Sequence, residues 1–338
     1  MKIYLFSLLL IFQLFSCKQS PELPKQPSQL SDSLQNQKKD KTETENIVLK
    51  SADGGLTWKN LSEGLPKPVK DDDARASNVF FANDNGLWLA DGNGLYHNNP
   101  NAIAPYWEKE ILPDEHSNIT PSKMGIIAYN YSGKILQKIN GTNKWLPICT
   151  NFKEKKIRSV LETSTGSIFI GTDEGLFKST DNGKTWKKVH NDGLVMKIVE
   201  SNGVLMAINI GGIIRSTDDG ENWDWVINEG RRGFVIESIK GGFAVSFDKT
   251  AKDSRKILIS YDGGKTWQSI DGNLPESHSI SSIIQFGDNF ICGHPEGIYQ
   301  SSDKGKTWKR VLCPFDGKLF NFSVSGNVIY AILRNKGC

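Results

Sequence analysis

Three observations predict an all-β fold, a closed ring of seven four-stranded blades, or seven-bladed β-propeller. First, one eight-residue pattern recurs five times: SADGGLTW (Ser51 to Trp58), STDNGKTW (Ser179 to Trp186), STDDGENW (Ser216 to Trp223), SYDGGKTW (Ser260 to Trp267) and SSDKGKTW (Ser301 to Trp308). Second, tryptophans at 58, 107, 145, 186, 223, 267 and 308 follow one another at 37 to 49 residues. A period of about 40 residues with four strand-like runs per unit is the spacing of a propeller blade. Third, the chain ends fit together. Leu319 to Val324 and Val328 to Leu333 read as a first and second strand, after which the chain stops. Ile47 to Lys50 and Thr57 to Leu61 read as a third and fourth strand with no pair before them. Joined, they make one composite blade that seals the ring and leaves no open edge.

The elements follow in chain order. Lys2 and the apolar run Ile3 to Leu14 form a targeting segment outside the fold. The run is too short for a comfortable membrane span. It ends in Leu14-Phe15-Ser16-Cys17, which resembles the lipobox of bacterial lipoproteins. That resemblance implies that Cys17 is lipid-modified and becomes the new N-terminus, with enough acyl chain for stable anchoring. Lys18, rather than an aspartate, follows the cysteine and favours the outer membrane. Residues 18–45, rich in Pro, Ser, Gln and charge, have too few apolar groups for a core and read as a disordered tether. Residues 46–338 form the propeller. The net charge of +3 gives no argument for a nucleic-acid partner.

Within each repeat, a Gly- and Asp-rich turn joins two apolar runs, the signature of a β-hairpin. Gly183, Gly220, Gly264 and Gly305 supply positive φ. Asp53, Asp181, Asp218, Asp262 and Asp303 accept backbone N–H bonds within the turn. Trp58, Trp186, Trp223, Trp267 and Trp308 offer apolar surface to a neighbouring repeat. Asn222 replaces a threonine, so that turn is expected to lose a hydroxyl contact. The pattern is identified as the Asp-box, or BNR, repeat. In families that carry it the boxes lie on the blade rim, away from the binding face. The five aspartates and five tryptophans are therefore assigned structural roles, with no catalytic residue among them. Trp107 and Trp145 stand where decayed boxes would end.

One unit shows the four strands: Met196 to Glu200 innermost, then Val204 to Ile208, Ile213 to Ser216 and Trp223 to Ile227. Ligands of such rings meet the fourth-to-first and second-to-third loops. Arg75, Arg158 and Arg232 each sit near the start of a first strand and are the candidate binding residues. Sialidases, which carry Asp-boxes, clamp a sugar carboxylate with three arginines, because a guanidinium makes a bidentate fork. Here the Arg-Ile-Pro signature is absent, since Ser159 and Val160 follow Arg158, and no Tyr and Glu pair stands out. His116, His190, His278 and His294 fall in loops of the same face without metal-ligand spacing. Asp71, Asp72 and Asp73 lack the alternation of a calcium loop. No metal and no cofactor are implied. Cys149, Cys292, Cys313 and Cys338 show no pairing motif and read as isolated buried thiols.

The whole most resembles single-ring Asp-box propellers, including photosystem II stability and assembly factor-like proteins, which bind protein partners. The resemblance implies a lipid-anchored, non-catalytic scaffold in the bacterial envelope that engages a protein or polysaccharide. The alternative is a glycoside hydrolase of sialidase type acting on acidic sugars.

Overall fold

The computed structural model describes residues 48–65, 79–83, 86–91, 94–98, 107–111, 117–150, 152, 156–228, 235–248, 255–277, 279–315 and 318–334. The leader, the tether and the domain limits at 17, 45 and 46 lie outside the described residues, as do Arg75, Arg232, His116, His278, Asp71 to Asp73, Cys17 and Cys338.

The described strands form seven four-stranded antiparallel sheets, and among the described residues there is no helix. The first blade comprises Val79–Asn83, Gly86–Asp91, Gly94–Asn98 and Glu108–Glu110; the second, Asn118–Ser122, Gly125–Tyr129, Ile135–Ile139 and Trp145–Cys149. The third comprises Ile157–Glu162, Ile168–Thr172, Gly175–Ser179 and Lys187–His190; the fourth, Val195–Ser201, Val204–Asn209, Gly212–Ser216 and Asp224–Asn228. The fifth comprises Val235–Ile239, Gly242–Asp248, Arg255–Ser260 and Gln268–Ser269; the sixth, Ser282–Phe286, Asn289–His294, Gly297–Ser301 and Lys309–Leu312. The seventh takes Leu319–Ser325 and Val328–Arg334 from one end of the chain and Val48–Ser51 and Lys59–Asn60 from the other. Val48 stands opposite Ile332 and Ser51 opposite Ile329, so the chain ends close the ring through a continuous ladder.

Each first strand contacts the first strands of both neighbouring blades, and these seven contacts run round the ring without a break. Consequently the first strands are innermost. The apolar interior follows from period-two alternation, which sends successive residues of one strand to opposite faces of its sheet. In the third blade, Ile168 and Ile170 pack towards the second blade, while Phe169 between them packs towards the fourth. The buried side chains accordingly form seven clusters, one in each seam between adjacent blades. Stability thus resides in the seams.

The described cysteines are free. Cys292 is buried in the seam of the fifth and sixth blades, but Cys149 is half-buried and Cys313 exposed. The expectation of buried thiols fails at Cys313 because the residue has just left the sixth blade's outer strand.

Candidate functional site: two faces of the ring

Antiparallel order gives the ring two faces. One carries the first-to-second turns and the Asp-boxes; the other carries the second-to-third and fourth-to-first loops.

On the box face, five turns repeat one hydrogen-bond arrangement. In the third blade, Asp181 Oδ1 accepts from Ser179 Oγ at 2.8 Å and from the Thr185 N–H at 2.9 Å. Asp181 Oδ2 accepts from Thr185 Oγ1 at 2.6 Å. Ser179 Oγ in turn accepts from the Gly183 N–H at 2.8 Å. The same bonds recur around Asp53, Asp262 and Asp303. At Asp218 the missing hydroxyl is replaced: Asn222 Nδ2 donates to Asp218 Oδ2 at 2.7 Å, so the expected loss does not occur. The Thr185 hydroxyl and N–H hold the Asp181 carboxyl down at about 2, and the Asn222 N–H and carboxamide do the same for Asp218 at about 2. These carboxylates are occupied by their own turns.

Two contributors to the box were not read from its sequence. The box serine is the hub of the turn and is buried in all five boxes. Its recurrence in every copy was the available signal. The fourth residue also takes positive φ, with Asn182 at 58°, Asp219 at 57° and Lys304 at 60°. Gly220, next to Asp219, needs its missing side chain for close approach as well as for its φ of 79°. A Cβ there would lie 2.4 Å from the Phe169 ring of the preceding blade. Trp223 meets the same ring edge-on at 6.3 Å and donates from Nε1 to Gly220 O at 3.0 Å. Each box therefore leans on the blade before it.

On the loop face, Arg158 lies on the third blade's first strand. Its Nε donates to Asp173 Oδ1 at 2.5 Å, and its guanidinium sits 5.4 Å from the centre of the Tyr131 ring of the second blade. The Asp173 hydrogen bond strengthens its hold on the proton. Arg75 and Arg232 lie outside the described residues, so Arg158 stands alone of the three in the described structure.

Of the four candidate histidines the described two, His190 and His294, sit at strand ends rather than in loops. His190 ends the third blade's outer strand, 3.3 Å from Asn209 Nδ2, and partial burial lowers its pKa. His294 ends the sixth blade's second strand and is 1% exposed. Its Nδ1 accepts from the Glu296 N–H at 3.1 Å and its Nε2 lies 3.1 Å from Pro275 O. That pair of partners fixes the neutral tautomer with hydrogen on Nε2, and burial lowers its pKa. Among the described residues no three His, Cys, Asp or Glu side chains gather as a metal site.

One tyrosine–carboxylate pair was not visible in the sequence: Tyr299 Oη donates to Glu296 Oε2 at 3.1 Å. Tyr299 belongs to the sixth blade's third strand and Glu296 to the turn before it, not to the inner ring, and the Tyr299 ring packs beside His294. Burial and Glu296 raise the Tyr299 pKa, which opposes phenolate formation.

The BNR/Asp-box repeat model matches residues 177–188 and 258–269. A search of curated proteins finds no match. YCF48 from Cyanidioschyzon merolae is 13% identical and superposes with a TM-score of 0.56 over 76% of this chain and 95% of that one. A structure of YCF48 bound to D1 peptide gives 13% identity and a TM-score of 0.54 over 77% of this chain and 95% of that one. The extracellular domain of a protein described as a one-component system of B. thetaiotaomicron is 10% identical, with a TM-score of 0.52. There the match covers 78% of this chain, which spans only 39% of the length of that domain. Identities this low establish the fold alone. The chain is a seven-bladed β-propeller that carries BNR/Asp-box repeats.

Proposed function

We propose that the protein is a non-catalytic binding scaffold of a bacterial cell envelope, held at a membrane through lipid on Cys17. It presents its loop face to a protein or polysaccharide partner, with residues 18–45 setting the reach. The observation that carries this reading is the state of Arg158. Its Nε is engaged by Asp173 and its guanidinium lies beside the Tyr131 ring, so one edge of the fork is already taken up by contacts within the ring. A substrate clamp needs a guanidinium free to take a carboxylate with two parallel bonds. The tyrosine–glutamate pair, on the third strand of the sixth blade and the turn before it, does not supply the missing nucleophile beside Arg158. Two neighbours in fold support the partner and the location: YCF48 has been seen bound to D1 peptide, and another neighbour is an extracellular domain.

Turnover of a fluorogenic sialoside and a small glycoside panel by protein lacking residues 1–45 tests the reading. No hydrolysis above the buffer rate is expected. Hydrolysis abolished by Arg75→Ala, Arg158→Ala or Arg232→Ala would overturn it and make the protein an envelope glycosidase acting on acidic sugars. Anchoring has its own readout: Cys17→Ser is expected to move the protein from the membrane fraction to the soluble one.

A further inference from the structure

In three of the seams, the residue before the box serine reaches across to the box of the next blade. Lys178 Nζ meets Asp219 Oδ2 at 3.0 Å and Glu221 Oε1 at 2.8 Å. Gln300 Nε2 donates to Gly54 O at 2.6 Å. Arg215 occupies the same position in the fourth blade, and its Nη1 donates to Gly263 O at 3.2 Å. Asp219 and Glu221 correspond by box position to Gly263 and Lys265. The arginine therefore faces a backbone carbonyl and a second cation where Lys178 faces two carboxylates. Its Nε is buried and has no hydrogen-bond partner.

A cleft of about 230 Å³ opens at this place, lined by Arg215, Lys265, Tyr261, Asn202 and Thr217 and floored by buried Phe243. The one carboxylate on its wall, Asp262, is spent within its own box, where it accepts from Ser260, Lys265 N–H and Thr266. Tyr261 stands where the other four boxes carry Ala52, Thr180, Thr217 and Ser302, and it is 52% exposed. The turn needs no aromatic ring there.

We infer that this cleft binds one carboxylated sugar ring, a uronic acid residue. Arg215 and Lys265, which both line the cleft, take the carboxylate on the guanidinium edge that opens to it and on an ammonium with no ion-pair partner among the described residues. Tyr261 gives an apolar face to the C–H side of the ring, with its hydroxyl in water. Asn202 and Thr217 offer amide and hydroxyl groups to the sugar hydroxyls. The volume falls below the roughly 300–1,000 Å³ that encloses a drug-sized molecule, and it suits a single ring. The site lies on the box face and is independent of what the loop face binds.

The test titrates the full-length chain in detergent solution with sodium glucuronate, glucose and sodium acetate, read by saturation-transfer NMR and calorimetry. Glucuronate is expected to saturate in the millimolar range, with glucose and acetate each weaker by about tenfold or more. Tyr261→Ser, a side chain that another box already carries, should keep the melting temperature and weaken glucuronate by about tenfold. Arg215→Gln should remove binding. No saturation by about 50 mM glucuronate would overturn the inference. Acetate binding as tightly as glucuronate would reduce the site to a bare anion hole. Unchanged affinity in Tyr261→Ser would equally contradict the sugar-ring assignment.

Discussion

The seam between the third and fourth blades and the seam between the fourth and fifth are built from the same parts but carry different charges. Both have a basic residue one place before the box serine, a box leaning in from the next blade and a tryptophan behind it. In the first, Lys178 is 5% exposed yet paired with Asp219 and Glu221, and Glu221 is shared with Lys187 at 2.7 Å. In the second, Arg215 has neither carboxylate. The five boxes carry Gly54, Asn182, Asp219, Gly263 and Lys304 at the fourth position and Leu56, Lys184, Glu221, Lys265 and Lys306 at the sixth, so the charge at those positions differs from seam to seam. One seam is a completed ion network, and the other keeps positive charge available to a ligand.

The largest expected effect separates the seams by stiffness. Gly220→Ala would drive a Cβ into the rigid Phe169 ring, whereas Gly264→Ala would meet Cε of the flexible Met206 at 2.3 Å. Both substitutions also carry the left-handed backbone penalty of about 1 kcal/mol. Urea unfolding should show Gly220→Ala costing about 3 kcal/mol or more and Gly264→Ala about 1–2 kcal/mol. Equal costs would mean that the ring yields as easily as the thioether.

The next effect concerns charge. Lys178→Met leaves Asp219 to the Thr165 and Ser167 hydroxyls and Glu221 to Lys187, and both carboxylates are about a third to two-fifths exposed, so these partners and screening reduce the buried-pair penalty to about 1–3 kcal/mol. Arg215→Met removes a cation that has no carboxylate partner and should stay within about 1 kcal/mol of the parent. Grafting the missing acids with Gly263→Asp and Lys265→Glu should raise stability by up to about 1 kcal/mol and extinguish glucuronate binding. A Cβ at Gly263 meets Val204 at an ordinary 3.4 Å, and Asp219 already tolerates the same backbone at 57°.

The smallest effect is on pH dependence. Hydrogen bonds from Lys178 and then Lys187 lower the Glu221 pKa, and the box bonds place Asp218 at about 2 against an ordinary 3.8. A depressed folded-state pKa gives stability that is present above the unfolded value and lost as pH falls through the folded one. The melting temperature should therefore drop between pH 4 and pH 2 for the box aspartates. The drop should be shallower in Asp218→Asn.

The ring was legible in the sequence because its repeat is local. Ser, Asp, Gly and Trp at fixed offsets specify a turn, and the turn specifies its two strands. Even closure could be read from the unpaired runs at 47–50 and 328–333. The seams were less legible, since Lys178 and Glu221 come together only when successive blades are stacked. The loop face was the least legible. Arg158 looked like a free guanidinium until Asp173 and Tyr131 were placed beside it, and nothing in the spacing of Glu296 and Tyr299 announced their bond. A box residue that the turn does not require, such as Tyr261, was visible in the five-copy comparison. It gained meaning only beside Arg215.

The claim at the centre of this account is that the first seam balances its charges while the second keeps an excess of positive charge. Two double-mutant cycles measured by urea unfolding test it, one between Lys178 and Glu221 and one between Arg215 and Lys265, with each residue replaced by Met or Gln. The predicted result is a stabilising coupling of about 1 kcal/mol in the first cycle and a coupling of zero or opposite sign in the second. Stabilising couplings of equal size in both would contradict the account, because the second seam would then have no positive charge to spare for a ligand.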